Sequence, residues 1–461
     1  MSVLAGYSRE ELEGIVISQT KVIATLQSQV ASLQAEVERL KSQPPGGKMS
    51  PPPWVKANAP LREVKERRKR SQSFVRTRQA PTEIQIHACE RCPGCGRELT
   101  GGCLHRVREV IEIPETPITV TEHQILARWC GVCGKRCIPV VDLSSEVLGR
   151  HRVGIRLMSL IAWLHIAGRV PLRRIQALVW CVYRLHLGLG ELSLILHTVA
   201  ERGKPAYERL GEAVRTSSHV HADETGWRED GVNGYVWSFV TPRVRYFLYD
   251  KSRSHEIPEG VLGTDYAGVL VSDFYSGYHY HEGLHQRCWV HFLRDLHALK
   301  ENHNDNRGVT AFVDGVVALY RKAKAYVEKS ALVEERTRVP DHGYRATRER
   351  CQAKTAFQEE AMALARPFLG QDVPQRVLAQ RIEKFLPELF TFVEYPDVPS
   401  ENNAAERAIR PCVIARKVSG GTRSKKGSKT KMILMSLFGT WQAQGHDMLQ
   451  ACHQMLAAPT P

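Results

Sequence analysis

No stretch of this chain is apolar for long enough to cross a membrane. The longest such run, Leu157 to Gly168, is too short for a bilayer and contains His165. The opening residues, MSVLAGYSREELEG, lack the basic start and apolar core of a secretory signal, so a cytoplasmic protein is expected. Cysteine is scarce: 12 in 461 residues is too few for a disulfide scaffold of this size. Seven of the twelve crowd between Cys89 and Cys137, and clustered thiols in a chain without an export signal read as metal ligands. Acidic residues are also in deficit, 49 against 64 Lys and Arg, leaving a net charge of +15 that favours an anionic partner, nucleic acid or a membrane surface. A hydrophobic content of 43% excludes wholesale disorder, and the length suggests about three domains.

Residues 1–43 are expected to form a coiled coil. Over 8–42, Val16, Ile23, Val30 and Val37 fall at heptad position a, and Leu12, Leu26, Leu33 and Leu40 at d, with Gln19 the polar exception. β-branched residues at a with Leu at d favour a parallel two-stranded pairing, hence a homodimer. Residues 44–86 read as a basic, Pro-rich linker, in which VKERRKR (64–70) is either a solvated tether or a non-specific phosphate contact. Residues 87–140 carry two matched turns, Cys92-Pro-Gly-Cys95-Gly and Cys130-Gly-Val-Cys133-Gly, whose four thiolates suit a tetrahedral structural Zn²⁺. Cys89, Cys103, His105 and Cys137 are spare candidates, any one of which could replace a ligand. The intervening VREVIEIP and ITVTEHQILARW have the β-rich character of a zinc ribbon.

Residues 141–215 lack strand alternation and are expected to be a helical DNA-binding region of several short helices with nearby arginines, helix-turn-helix-like, with no single recognition helix. Residues 216–300 change character. Three β runs, SSHVHADETGWR, GYVWSFVTP and RVRYFLYD, are followed by GVLVSD and a helix from about Cys288. Such an order is compatible with the first part of a ribonuclease H-like α/β core. Residues 301–390 read as a helical insertion, and 391–461 as the second part of the core with C-terminal helices, the first running from Ser400 and stopping at Pro411. The fold class is thus multidomain α+β.

Phosphoryl transfer on nucleic acid needs carboxylates that hold divalent metals near the phosphate. Asp223 in HVHAD shares a strand face with His219 and His221, and Asp273 ends the run Val269–Ser272. A third carboxylate lies in Ser400–Arg410. On a helix Asn402, Glu406 and Arg410 share one face, although Asn403 to Glu406 also has capping-box spacing and Glu406 to Arg410 that of a surface pair. Downstream, Arg416, Lys417, Arg423, Lys425, Lys426, Lys429 and Lys431 form a basic, Gly/Ser-containing segment suited to a flexible clamp on DNA phosphates. In CWVHFLRDL, Trp289, Phe292 and Leu296 should pack inward, and His291 reads as a core histidine before a catalytic one.

These motifs together resemble the large transposase of the insertion sequence 66 family, a DDE-type enzyme. The matching pieces are DETGWR (223–228), SDFYSGY (272–278), CWVHFLRDL (288–296) and ENNAAERAIRP (401–411), with the coiled coil and CxxC turns in the family's order. The resemblance implies a DDE triad of Asp223, Asp273 and Glu406 holding two Mg²⁺ (or Mn²⁺), cleavage and joining of DNA at terminal inverted repeats and a target, and accessory proteins encoded by the element. Where the family has Asp before the paired Asn this chain has Glu401, a rival to Glu406. A regulator with an inactive core and a metal-dependent nuclease without strand transfer are the alternatives.

Overall fold

The computed structural model describes residues 8–41, 80–111, 118–149, 151–335 and 347–459. The linker basic run therefore lies outside the described residues. The chain divides into two compact units, 1–112 and 113–461. The first contains helix α1 (Arg9–Lys41), a length free of proline. Its a and d side chains Val16, Ile23, Leu26, Val30 and Leu33 are each more than half exposed. The same unit holds the first CxxC turn, closed by Gly96 N–H to Cys92 O (2.8 Å) and Cys92 N–H to Arg97 O (2.8 Å).

In the second unit the hairpin β1 (Arg128–Cys130) and β2 (Lys135–Cys137) frames the other turn. Upstream of it, ITVTEHQILA forms no strand, contrary to the β-rich expectation, and Val120, Ile125 and Leu126 stay exposed. Alternation alone does not make a strand when neither face has a core to bury it.

Helices α2 (Ile155–Ile166), α3 (Leu172–Tyr183) and α4 (Leu189–Arg215) follow. Next comes a meander, β3 (His219–Glu229), β4 (Val232–Val240) and β5 (Arg245–Asp250). Asp230 and Gly231 between β3 and β4 both take left-handed φ, 50° and 78°, the geometry of a two-residue primed hairpin turn. Helix α5 (Glu256–Leu262) then crosses over to β6 (Val269–Ser272), and β7 (His285–Arg287) completes the sheet. The order is β5-β4-β3-β6-β7, with β3, β4 and β5 antiparallel and β6 and β7 parallel to β3. β7, fully buried and only three residues long, was not foreseen.

Helix α6 (Trp289–Asn302) leaves the sheet for α7 (Arg307–Glu335), α8 (Arg348–Ala365), α9 (Arg376–Leu389) and α10 (Thr391–Glu394). These close around their own core, which takes in Trp289, Phe292 and Leu296 as expected. The chain returns through α11 (Asn403–Ser419), α12 (Lys425–Ala443) and α13 (Met448–Ala457). Helix α11 does not stop at Pro411 but runs eight residues past it. The bond that Pro411 cannot donate would have gone to the carbonyl of Arg407, an exposed residue that water can serve. Residues of α2, α3 and α4 share one apolar core with α11, α12, α13 and the sheet residues Trp227, Val236 and Phe247. The opposite sheet face, carrying Val220, Ala222, Trp237 and Leu270, packs with Leu262 and Tyr278.

Candidate active site

Strand register assembles the first two carboxylates. His219, Val220 and His221 of β3 lie opposite Val269, Leu270 and Val271 of β6. Continuing that parallel register by two residues sets Asp273 level with Asp223, on the face of His219, His221, Val269 and Val271. Both are half-buried. Asp273 Oδ1 accepts the Tyr275 amide (2.9 Å), and Asp223 Oδ1 accepts the Glu224 amide (2.9 Å).

The same face receives the start of α11. Trp289 N–H donates to Ser400 O (2.9 Å) and Asn402 N–H to Cys288 Sγ (3.1 Å), closing the base of the helical insertion. Asn402 is buried. Its Nδ2 donates to Ala222 O (2.7 Å), so its Oδ1 accepts from His221 Nδ1 (3.1 Å). Burial holds His221 down to about 4, a neutral imidazole fit for that role. Asn402 is therefore a bolt between α11 and β3, one residue before Asp223. No side-chain cap forms at the start of α11, so the capping-box reading does not hold.

Glu406 stands one turn along α11. Its Oε1 is buried without a hydrogen-bond partner and lies 3.7 Å from His291 Nε2, and His291 Nδ1 is likewise buried and unpartnered. His291 is thus no satisfied core histidine: it faces the candidate site. Glu401 turns away, toward Ser400 Oγ (3.1 Å) and Lys324 (3.9 Å). The charges separate the two glutamates. The Asp223 carboxyl is pushed up to about 7, by burial first and then by the negative charges of Glu224, Asp273 and Glu406. Glu401 is not among the charges that act on it. Among the described residues, no three His, Cys, Asp or Glu side chains stand close enough together to hold a metal.

Two supports of this site carry no motif. Glu224, on the opposite face of β3, is nearly buried, and it accepts from Arg253 Nη2 (2.5 Å) and Tyr278 OH (2.6 Å). Arg253 in turn stacks on Tyr275 at 4.0 Å. Arg287, buried on β7, donates to Asp273 O (2.8 Å) and to Glu388 (2.5 Å) of α9. Phe385 breaks helical geometry inside α9, with Pro387 just beyond, and the helix packs on β7.

The basic segment is more ordered than a flexible clamp. Ser424 caps α12 by accepting from Gly427 N–H, and Thr422, Ser428, Trp227 and Glu229 form a buried network that fastens the segment to the end of β3. Arg410, Lys417, Arg423, Lys425, Lys426 and Lys429 are exposed. Arg416 is not: its guanidinium donates to Thr225 Oγ1 (3.4 Å) and Gly226 O, and a Cβ at Gly226 would come within 3.2 Å of it. Lys431 is turned inward, with Nζ 3.4 Å from His165 Nε2, and burial brings it down to about 8.

Each CxxC turn has the same local form. Gly96 and Gly134 follow the second cysteine with left-handed φ (76° and 59°), and backbone amides hold the Cys92 and Cys130 thiols below the usual thiol range. The turns belong to different compact units.

A protein of Sinorhizobium fredii (strain NBRC 101917 / NGR234), named only as "Uncharacterized protein y4jO", is 29% identical over 187 residues, 40% of this chain and 50% of that protein. The chain thus spans about half the length of this curated relative. The model of the family described as "Transposase IS66 family" matches residues 150–430, from the helices before the sheet through α11 and into α12. With well over half of its residues matched, including every expected carboxylate, the chain belongs to the IS66 transposase family.

Proposed function

We propose that the protein cleaves and joins DNA ends by divalent-metal-dependent phosphoryl transfer, on a ribonuclease H-like core whose working carboxylates are Asp223, Asp273 and Glu406. The observation that supports this reading is the parallel β3–β6 register, His219 to Val269 through His221 to Val271, which if continued two residues brings Asp223 alongside Asp273. The strand order, three antiparallel strands and then two parallel ones, supports the core assignment.

The donor types suit hard cations, although the three carboxylates do not stand close enough together here to hold one: burial first, and then the charges of Glu224, Asp273 and Glu406, push Asp223 toward protonation, and Glu406 Oε1 is buried without a donor. When bound, two Mg²⁺ or Mn²⁺ ions supply positive charge to the phosphate and acidify the attacking hydroxyl. The chain's own residues do the rest. Asp223 and Asp273 offer oxygens fixed by strand ends, the Asn402–His221 bolt sets the approach of α11, and His291 steadies Glu406 from α6. Arg410, Lys417, Arg423, Lys425 and Lys426 contact DNA phosphates, while Arg416 braces β3. The paired thiolates of Cys92 and Cys95, and those of Cys130 and Cys133, are ligands for structural Zn²⁺, and the exposed heptad stripe of α1 pairs two protomers, hence two DNA ends.

The test is purified protein with element-end DNA, Mg²⁺ and a target plasmid. Joined products are expected. Asp273→Asn should abolish cleavage while end binding persists, and unchanged cleavage removes Asp273 from the site. Nicking without joined product would establish a nuclease, and binding without nicking a regulator.

A further inference from the structure

From Val147 to Gly190 the chain has seven arginines and not one Asp, Glu or Lys. Arg152 pairs with Glu191 (2.8 Å) just beyond. Arg156, Arg169, Arg173, Arg174 and Arg184 are exposed, and among the described residues none of them joins an ion pair. Helix α3 gives three of them a common setting. Its inner face, Leu172, Ile175, Gln176, Val179 and Tyr183, is buried or half-buried at helical spacing. Arg173, Ala177, Trp180 and Arg184 follow at i, i+4, i+7 and i+11 and form one outward stripe. The contacts agree: the Arg184 guanidinium lies 5.9 Å from the Trp180 ring, which also packs on His186 at 4.1 Å. The exposed apolar residues Leu178 and Val182 lie off the stripe, on its flank.

The approach to α3 is built rigidly. Residues 167–171 form a tight turn after α2, closed by Gly168 N–H to Trp163 O (3.0 Å) and Val170 N–H to Leu164 O (2.9 Å). A Cβ at Gly168 would come within 2.7 Å of Leu164 O, so only glycine fits. His165 Nδ1 bonds Val170 O (3.0 Å), and Gln176 Nε2 bonds Leu187 O (2.7 Å) on the far side of the helix. Two helices joined by a short glycine turn, the second presenting planar cations and a small central residue, are suited to a duplex groove and its phosphates.

We infer that the Arg173–Ala177–Trp180–Arg184 stripe of α3 is a duplex-DNA contact surface, separate from the carboxylate site. It rests on the reading of this protein as one that acts on DNA, and it names the helix that does the holding. Each arginine of the stripe that meets a phosphate displaces counterions, so its loss lowers the salt dependence of binding by about 0.9 in the log–log slope.

The test is an anisotropy titration of the full chain with a labelled mixed-sequence duplex of about 30 bp, without added Mg²⁺, from about 50 to 200 mM salt. Arg173→Gln is combined with Arg184→Asn, because Asn tolerates the left-handed backbone at 184 (φ 53°). The double variant should bind roughly ten-fold more weakly, with a slope smaller by about 2. Arg173→Gln alone, at an exposed position, should lower the slope by about 1 and keeps the test open if position 184 proves necessary for folding. Unchanged affinity and slope in a folded variant overturn the inference. So does a changed sedimentation mass with unchanged DNA binding, which would assign the face to a second copy of the chain. Without Mg²⁺ no cleavage is read, so failure here leaves the cleavage reading standing, and a fully active Asp273→Asn leaves this inference standing.

Discussion

Arg287 holds the backbone carbonyl of Asp273 with one nitrogen (2.8 Å) and the carboxylate of Glu388 with another (2.5 Å). Glu388 belongs to the helical insertion, so the insertion braces the strand end that carries the second carboxylate. Arg287 is almost fully buried, and removing its counter-charge leaves a guanidinium without compensation. Glu388→Gln should destabilise the protein by roughly 2–4 kcal/mol, seen as a lowered melting temperature. An unaltered melt would mean that water already serves Arg287.

Asp223 gives a pH signature. Its carboxyl lies at about 7 in the fold against an ordinary 3.8, so between those values the folded chain holds a proton that the unfolded chain has released. This contribution to stability is fully present below pH 3.8 and is lost as pH rises through about 7. Asp223→Asn should therefore stabilise the protein at pH 8 without added Mg²⁺, by on the order of 1–3 kcal/mol after allowing for partial solvent screening and seen as a higher melting temperature, while abolishing cleavage. A variant less stable than wild type at pH 8 would refute the charge crowding.

Glu406 and Glu401 can be told apart by one assay. Glu406→Gln should cost at least about a hundred-fold in DNA cleavage, with end binding kept, because it removes a proposed metal ligand. Glu401→Gln should stay within a few-fold, since that side chain engages Lys324 and Ser400. The reverse ranking would exchange their roles.

Lys431 predicts an alkaline gain. Buried beside a neutral His165, it releases its proton at about 8 in the fold but near 10.5 when unfolded. The unfolded chain binds more protons in that window, so stability rises with pH from about 8 to 10.5. Lys431→Met should remove this slope in urea titrations and stabilise the protein at pH 7 by about 1–3 kcal/mol. A slope that persists in the variant would assign it to another group.

The zinc assignment predicts one Zn²⁺ per chain by elemental analysis. Cys130→Ser should lower that content and weaken DNA binding without changing the magnesium requirement of any residual cleavage. A metal-free wild type that binds DNA normally would remove the site.

Much of this protein was legible in its residues because the signals were local. The Asp-Gly hairpin, the alternation that puts Asp223 with His219 and His221, the CxxC-Gly turns and the apolar side of α6 are each written within about ten residues, where backbone preference and side-chain period act directly. What tertiary structure decided was partnership across long separations. Asn402 reads as a site residue until His221 and the Ala222 carbonyl claim it, and Arg416 as a phosphate ligand until Gly226 opens room for it. Glu406 and Glu401 are near-equals in sequence, and only the docking of α11 on β3 turns one toward Asp223 and the other toward Lys324. The helix passes Pro411 because packing on the sheet outweighs one missing hydrogen bond, a balance that no local preference contains.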